Sequence, residues 1–228
     1  MVRTGMRVLV VDVGGSNVKL LATGRRTPRR FPSGPDLTPS QMVAGVRETA
    51  TGWSWEAVTI GIPTPVVDGR PVLEPHNLGS GWMRFDFAAA FGSPVVVMND
   101  AAMQALGSYE GGRMLFMGLG TGLGTATVDD GKLVSLELAH LPYRKGKTYE
   151  DYLGERGFRR LGRRKWEHHV RSVTGLLQKA LVADYVVLGG GNVEKLRALP
   201  PRTRRGDNQN AFTGGFRVWK NAAQSGLE

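Results

Sequence analysis

The stretch Met6–Lys19, MRVLVVDVGGSNVK, decides how this chain is organised. Its apolar run, 8–11, has the length and β-branching of a buried strand, and the two glycines that follow mark a tight turn. A backbone without Cβ atoms can approach a phosphate group closely and point its N–H groups at it. An acid at the strand end, here Asp12, can hold Mg²⁺ through water. The alternative is a plain hairpin in which Asp12 only bonds the turn backbone.

The composition of the 228 residues favours one large domain or two small lobes that share a cleft. A hydrophobic content of 41% is enough for a core. The chain contains no run of about 18 apolar residues, so no transmembrane helix is predicted. No signal-peptide-like apolar segment follows residues 1–5, so we expect a cytoplasmic protein without membrane attachment. The chain has no cysteine, which excludes disulfides, thiolate zinc sites and cysteine nucleophiles.

The net charge of +10 favours a polyanionic partner such as nucleic acid, an anionic surface or a phosphate polymer. A solvated basic face is the alternative. The segment 144–171 contains ten of the 30 lysines and arginines against four acids, and it could either bind a polyanion or be merely solvated. The aromatic residues in and beside it would suit base stacking but fit helix packing at least as well; they are Tyr143, Tyr149, Tyr152 and Trp166.

Strands alternate with helices along the chain, which predicts an α/β protein. Strands are predicted at 8–11, 18–23, 57–61, 71–73, 94–98, 114–118, 125–128, 132–134 and 185–188. Helices are predicted at 39–51, 85–92, 101–109, 149–161, 165–181 and from 193 onward. Residues 211–223 could be a helix or a strand, and 24–39 and 200–210 are predicted as loops.

Each half of the chain shows a strand, a glycine-rich turn and another strand, like a duplicated phosphate-binding unit. We therefore expect two α/β lobes, an N-terminal one at 1–105 and a C-terminal one at 106–228. Glycine turns follow strands at 14–15, 120–124 and 189–191, a number that suits a phosphate chain held from two lobes, although such turns can be purely structural. None matches the dinucleotide fingerprint, and Gly146-Lys147-Thr148 lacks the first glycine of a Walker A loop.

Two groups of polar residues are candidates for chemistry on a sugar. Asp100 follows a predicted strand, next to Asn99, and could accept the proton of a hydroxyl during phosphoryl transfer; alternatively it caps the next helix. Glu137 and His140 stand three apart and suit sugar hydroxyls. They could also form half of a metal site, or His140 could be structural.

The order of motifs resembles the ROK family of sugar kinases and, within it, the polyphosphate glucokinases. The resemblance covers nearly the whole chain and rests on eight motifs in the right order. These are DVGGSNVK (12–19), GIPTPVVDG (61–69), HNLGSGW (76–82), VVVMNDAAMQALG (95–107), GLGTGLG (118–124), ELAH (137–140), YEDYLG (149–154) and VVLGGGN (186–192).

This resemblance implies a two-lobed actin/hexokinase-like, RNase H-like fold with the active site in the cleft between the lobes. It implies that Asp100 is the general base on the sugar 6-hydroxyl and that Asp12 binds Mg²⁺ through water. The sugar would be held by Asn77, Asn99, Asp100, Glu137, His140 and Glu150. The phosphoryl donor, polyphosphate or ATP, would be held by Gly14, Gly15, Ser16, Lys19, Gly120, Thr121, Gly122, Gly189, Gly190 and Gly191.

The chain departs from the family pattern in ways that bear on cofactor and substrate. The cysteine-rich zinc motif of many members is missing, so no structural zinc is expected. Ala139 and Thr64 replace glycines that are usual near the sugar, which leaves the hexose open, with glucose preferred.

The resulting hypothesis is a glucokinase that uses polyphosphate or ATP and is a homodimer by family resemblance, with no nucleic-acid partner. A sugar-binding sensor without turnover is the main alternative. A DNA-binding regulator of the same family would need a helix-turn-helix before the first strand, where only five residues are available.

Overall fold

A computed structural model describes residues 5–224 of the chain, with side chains up to residue 220. The described residues form two compact units. The first unit contains residues up to Met103 together with those from Ala211 onward, and the second contains Gln104–Asn210.

The first unit is built on a five-stranded sheet with the strand order β3-β2-β1-β4-β7. Strands β1 to β3 are antiparallel neighbours, whereas β1, β4 and β7 run parallel. The strands are β1 (Val8–Val13), β2 (Asn17–Ala22), β3 (Arg29–Pro32), β4 (Ala57–Ile62) and β7 (Val95–Asn99), with a separate hairpin of β5 (Val66–Val67) and β6 (Arg70–Pro71). The helices are α1 (Pro39–Thr49), α2 (Phe87–Phe91), the start of α3 (Asp100–Ser108) and α6 (Asn210–Gln224).

Local sequence signals explain where these helices begin and end. Thr38 and Gln41 form a reciprocal capping box at the start of α1, and a proline occupies its first position. Asp86 accepts a hydrogen bond from the Ala89 N–H at the start of α2, and Gly92 ends that helix in the left-handed conformation. The predicted helices at 39–51 and 85–92 are therefore present with slightly shorter bounds.

The helix α6 packs on the sheet of the first unit. Its Trp219 Nε1 donates to Thr59 Oγ1 on β4 (2.9 Å), and that hydroxyl donates to the Gly215 carbonyl (2.8 Å). A Cβ at Gly215 would overlap the side chain of Val10 on β1, so only glycine allows this close approach. These contacts settle the choice between helix and strand for 211–223 in favour of a helix.

The second unit repeats the same sheet topology with the order β10-β9-β8-β13-β14. Strands β8 to β10 are antiparallel neighbours, and β8, β13 and β14 run parallel. The strands are β8 (Arg113–Leu119), β9 (Leu123–Asp129), β10 (Lys132–Leu136), β13 (Tyr185–Gly189) and β14 (Thr203–Arg205), with a small hairpin of β11 (Pro142–Arg144) and β12 (Lys147–Thr148). The helices are α4 (Tyr149–Leu153) and α5 (Glu155–Ala180).

The long helix α5 breaks at Gly162, whose φ of 72° and ψ of 161° are not helical. This break coincides with the gap between the two helices predicted at 149–161 and 165–181. Beyond it, Trp166 is buried and donates its Nε1 to the Leu153 carbonyl (2.8 Å). Tyr149 and Tyr152 are also buried, so these aromatic residues pack the core of the unit and are not a stacking surface.

Several elements differ from the sequence-based prediction. The strands β3 and β14 lie in segments predicted as loops, because both are short, polar edge strands whose pairing is tertiary. The helix predicted from 193 is a 3₁₀ turn at Gly191–Lys195. The predicted C-terminal lobe of 106–228 included α6, whereas the packing of this helix assigns it to the first unit. Within residues 5–224, no helix is long and apolar enough to cross a membrane.

Candidate functional site

The glycine turn after β1 is held from both sides within the first unit. The Gly14 N–H donates to the Asn17 carbonyl (3.0 Å), while Ser33 donates its N–H to the Ser16 carbonyl (3.1 Å) and its hydroxyl to the Gly14 carbonyl. In the described part of the chain, the N–H groups of Gly15 and Ser16 donate to no acceptor. A fixed turn with two available N–H groups is suited to bind phosphate oxygens.

Asp12 is a nearly buried carboxylate directly before this turn. Its side chain is 11% exposed, and the Lys19 ammonium lies 3.4 Å from its Oδ2. Burial raises the pKa of Asp12, and the charge and hydrogen bond of Lys19 oppose that rise without cancelling it. The carboxylate therefore sits where a further cation would stabilise its charged form.

At the junction between β7 and α3, the neighbouring side chains of Asn99 and Asp100 have different roles. Asn99 is buried; its Oδ1 accepts from the Ala102 N–H and its Nδ2 donates to the Thr64 carbonyl, both at 3.1 Å. Asn99 is thus the residue that caps α3. Asp100 is half-buried at the first helical position, where its Oδ1 accepts from the Ala101 N–H (2.7 Å). Because Asn99 is committed to fixing the helix, its direct contact with a sugar stays a prediction.

Asn77 is exposed and lies beside the glycine turn of the first unit. A Cβ at Gly15 would come within 3.3 Å of the Asn77 Cβ. The structure thus brings together the predicted sugar ligand Asn77 and the predicted donor-binding Gly15.

In the second unit, the loops 120–124 and 189–191 lie against each other. Asn192 is buried and donates its Nδ2 to the Gly120 carbonyl (2.9 Å), and a Cβ at Gly190 would overlap Leu119. The N–H groups of Thr121 and Gly122 find no acceptor among the residues described. Sequence reasoning selected the glycines but missed Asn192 as the residue that joins the loops, although it directly follows the GGG run.

A surface pocket of about 420 Å³ opens next to the second of these loops. It is lined by Gly190 and Gly191 and, on its other side, by residues of the segment that follows β14, including Asp207. An ion pair between Arg205 and Glu194 (2.9 Å) borders it. This pocket adjoins two of the glycines, Gly190 and Gly191, that were predicted to hold the phosphoryl donor.

The polar residues Glu137, His140 and Glu150 form a group in the second unit. Glu137 precedes a 3₁₀ turn at Leu138–His140, and burial of its carboxyl raises its pKa, with His140 opposing the rise and Glu150 adding to it. Glu150 is directed to the loop 120–124, because its Oε2 accepts from the Leu123 N–H (3.3 Å). A Cβ at Gly122 would overlap the Glu150 carboxylate, so glycine is needed there.

A capping box places Glu150 in this group. The Thr148 side chain accepts from the Asp151 N–H, and the Asp151 carboxylate accepts from the Thr148 N–H (3.0 Å), which fixes the first turn of α4. Two carboxylates and an imidazole are a good set of partners for sugar hydroxyls, which both donate and accept hydrogen bonds.

The basic segment 144–171 is partly neutralised by its own acids. Arg156 pairs with Glu150 (3.5 Å), and Arg159 pairs with Glu155 (2.9 Å). The side chains of three exposed residues, Arg163, Arg164 and Lys165, make no ion pair or hydrogen bond within residues 5–224. Whether this segment binds a polyanion stays a prediction.

No group of three or more histidine, aspartate or glutamate side chains in the described residues could hold a metal ion. A multi-ligand metal centre is therefore not part of the described structure, and the prediction for Mg²⁺ concerns Asp12 alone. The roles assigned to individual site residues, the location of the site between two lobes, the homodimer and the cytoplasmic location stay predictions.

Sequence comparison finds sugar kinases. The chain is 26% identical over 203 residues to the polyphosphate glucokinase of Mycobacterium leprae, covering 79% of this chain and 62% of that protein, so it spans less than two thirds of that relative's length. It is 27% identical over 207 residues to the polyphosphate glucokinase of Mycobacterium tuberculosis (strain CDC 1551 / Oshkosh), covering 79% and 76%. It is also 27% identical over 146 residues to the N-acetylmannosamine kinase of Escherichia coli O157:H7, covering 57% and 50%. No protein-family model matches the chain.

Structure comparison identifies the fold. The inorganic polyphosphate/ATP-glucomannokinase of Arthrobacter sp. strain KM superposes with a TM-score of 0.80 at 21% identity, covering 95% of this chain and 99% of that one. A ROK family glucokinase from Streptomyces griseus, in complex with glucose and AMPPNP, superposes with a TM-score of 0.73 at 17% identity, covering 94% and 99%.

The chain therefore has the α/β fold of the ROK-family, hexokinase-like sugar kinases, and its sequence relatives are sugar kinases. The resemblance to the ROK family and, within it, to the polyphosphate glucokinases is confirmed.

Proposed function

We propose that the chain is a hexose kinase that transfers a phosphoryl group from polyphosphate or ATP to the 6-hydroxyl of glucose. The observation that carries the proposal is the β7–α3 junction, where Asn99 caps the helix and thereby holds Asp100 at a fixed helix start. A carboxylate held in this way can orient a hydroxyl and accept its proton. The polyphosphate glucokinases among the relatives support the choice of sugar and donor.

In the proposed reaction, the sugar oxygen bonds to the terminal phosphorus while the bond from that phosphorus to the bridging oxygen of the donor breaks. The proton of the hydroxyl passes to the Asp100 carboxylate, and the shortened phosphate chain leaves. The available N–H groups of Gly15, Ser16, Thr121 and Gly122 donate to phosphate oxygens and stabilise the charge that develops on them. Glu137, His140 and Glu150 bind hydroxyls of the sugar and orient it.

Asp12 has the properties of a single protein ligand for Mg²⁺. This ion commonly takes one or two carboxylates and completes its shell with water and substrate phosphates, so a cluster of acids is not required. The Asp12 side chain is nearly buried, and Lys19 offsets only part of the burial that raises its pKa, so a bound cation would stabilise its charged form. When bound, the ion would neutralise negative charge on the phosphate oxygens.

The experiment that tests the proposal is a coupled assay for glucose 6-phosphate with Mg²⁺ and either ATP or polyphosphate. It compares the wild type, Asp100→Asn and the control Asp68→Asn; Asp68 is exposed in the turn of the β5–β6 hairpin, where its φ of 49° also suits asparagine. We expect Asp100→Asn to lower kcat by about 10²–10⁴-fold with little change in sugar binding, and the control to keep wild-type turnover.

Two outcomes would contradict the proposal in different ways. Near-normal turnover by Asp100→Asn would remove Asp100 from the role of base. A wild type that phosphorylates no hexose with either donor, yet binds a sugar in a panel of glucose, mannose and N-acetylmannosamine, would indicate a sensor.

A further inference from the structure

A row of three charged side chains crosses the first sheet. The register of β1 and β2 pairs Asp12 with Lys19, and the register of β2 and β3 pairs Lys19 with Arg30. Residues directly opposite each other on neighbouring strands project to the same face of a sheet. Because strands lie about 5 Å apart, the row from Asp12 to Arg30 extends for about 10 Å.

The row lies on the face opposite the hydrophobic core that contains β1 residues Leu9, Val11 and Val13. Phe31, which follows Arg30, packs against that core, so Arg30 projects from the other side. Side-chain exposure rises along the row, from 11% at Asp12 to 42% at Lys19, and Arg30 is exposed on the edge strand. The row therefore leads from a nearly buried carboxylate outward to solvent.

The two arginines at the start of β3 differ in what they contact. Arg29 donates to the carbonyls of Thr49 and Thr51, both at 2.8 Å, and its guanidinium lies 4.5 Å from the centre of the Trp53 ring. Arg30 makes no hydrogen bond, ion pair or ring contact through its side chain with any residue that the structure describes. Arg29 thus has a structural role, whereas the guanidinium of Arg30 is available for a ligand.

The strand that carries Arg30 is anchored to the glycine turn. Ser33, next to the end of β3, bonds both Ser16 and Gly14. This anchoring fixes the backbone of β3 relative to the N–H groups proposed to bind phosphate. The glycine turn, Lys19 and Arg30 therefore belong to one connected part of the sheet.

We propose that Lys19 and Arg30 form a subsite for the phosphate chain of the donor, binding groups beyond the one that is transferred. The inference rests on the proposed function and adds Arg30 to it. A guanidinium binds phosphate oxygens in a bidentate manner and an ammonium binds them as a point charge, so both residues suit a linear chain of phosphates. Because the row ends at an exposed sheet edge, a long chain can continue past Arg30 into solvent.

The test compares Arg30→Gln and Arg30→Lys with the control Arg26→Gln. Arg26 lies in the loop between β2 and β3 and is also exposed. Its side chain makes no hydrogen bond or ion pair in the described chain, so its substitution removes the same charge. Binding of fluorescent long-chain polyphosphate and of ATP is measured directly at several salt concentrations, alongside the KM values of both donors and of glucose. Circular dichroism verifies that each variant is folded.

We expect Arg30→Gln to raise the polyphosphate Kd about tenfold and to reduce the slope of log K against log salt by about one. Arg30→Lys should lie between this variant and the wild type, because it keeps the charge without the bidentate geometry. The control should change affinity less than about twofold, and the KM of glucose should stay constant. A loss confined to polyphosphate identifies that donor as the ligand, whereas an equal loss for ATP assigns the subsite to both.

Equal weakening by Arg30→Gln and Arg26→Gln would overturn the inference, because it would reduce the effect to net charge. The proposed function would be unaffected by that result, because it is tested by whether the wild type phosphorylates a hexose. Conversely, the wild type could bind polyphosphate through Arg30 and yet phosphorylate no hexose. That result would refute the proposed function and support the subsite.

Discussion

The contact between α6 and β1 predicts that Gly215→Ala destabilises the first unit. An added Cβ would overlap the methyl groups of Val10, which is fully buried in the centre of the sheet. Valine has one stiff side-chain torsion, so its methyl groups cannot turn away without a rotamer penalty. The helix or the strand has to shift instead.

The expected magnitude is the difference between two terms. Overpacking a well-packed core costs about 1–3 kcal/mol, and replacing glycine by alanine within a helix returns about 0.5–1 kcal/mol. Taken from the midpoints of these two ranges, the net effect is a loss of about 1.3 kcal/mol in the free energy of unfolding, or about 3–5 °C in Tm. Gly175→Ala is the matched control, because Gly175 lies inside α5 with nothing within 4 Å of its added Cβ. That change should stabilise the protein by about 0.5–1 kcal/mol.

Urea unfolding measures both variants. Tryptophan fluorescence reports mainly on the first unit, which contains all the tryptophans of the chain except Trp166, and circular dichroism follows both units. A double-mutant cycle sharpens the test. In a Val10→Ala background the two overlapping methyl groups are gone and only the Val10 Cβ contact of 3.2 Å is kept, so Gly215→Ala should destabilise much less. A Gly215→Ala variant as stable as the wild type would refute the close packing of α6 on β1.

Three further predictions concern ionisable groups. Burial raises the pKa of Asp12, so folding becomes less favourable as pH rises and the carboxyl has to ionise. Asp12→Asn should therefore raise Tm at neutral pH while activity is lost. A lower Tm would contradict this prediction. Because the charge of Glu150 raises the pKa of Glu137, Glu150→Gln should move the acid limb of kcat/KM for the sugar to lower pH, and an upward move would contradict the grouping. Hydrogen bonds from Lys195 and Arg159 lower the pKa of Glu155 from 4.5 to about 2, so the charged Glu155 stabilises the fold above pH 4.5. Glu155→Gln should therefore be less stable than the wild type above pH 4.5, and this difference should disappear as pH falls from 4.5 towards 2. Urea unfolding across that pH range measures the difference.

The sequence was most informative where a segment has a strong local signal. The strand β1 is a continuous apolar run ending in an acid and glycines, and Thr38 and Gln41 cap α1 by a purely local mechanism. The edge strand β3, with the sequence RRFP, carries no such signal, because its conformation follows from pairing with β2. In α6 the pair Gly214-Gly215 weakens the helical pattern, and the reason for Gly215 is a contact with a strand about 200 positions earlier.

The same distinction applies to the candidate site. The types of residue that suit phosphate and sugar were visible in the sequence, including Asp12, Asp100 and Glu137. The roles of neighbouring polar residues were not visible. Whether Asp100 or Asn99 caps α3 depends on side-chain orientation, and the structure shows that Asn99 does. The alignment of Arg30 with Lys19 depends on strand register, which composition cannot supply.

The assignment of α6 to the first unit has a consequence for synthesis on the ribosome. A chain emerges from its N-terminus at about 5–20 residues per second, and domains generally fold as units as they appear. The second unit is continuous in sequence, so it can fold as soon as it has been translated. Synthesis of the first unit begins earlier but ends later. Thr59 and Val10 lack their contacts with α6 until Gly215 and Trp219 have been translated. The half of the protein that is translated first is therefore the last to be completed.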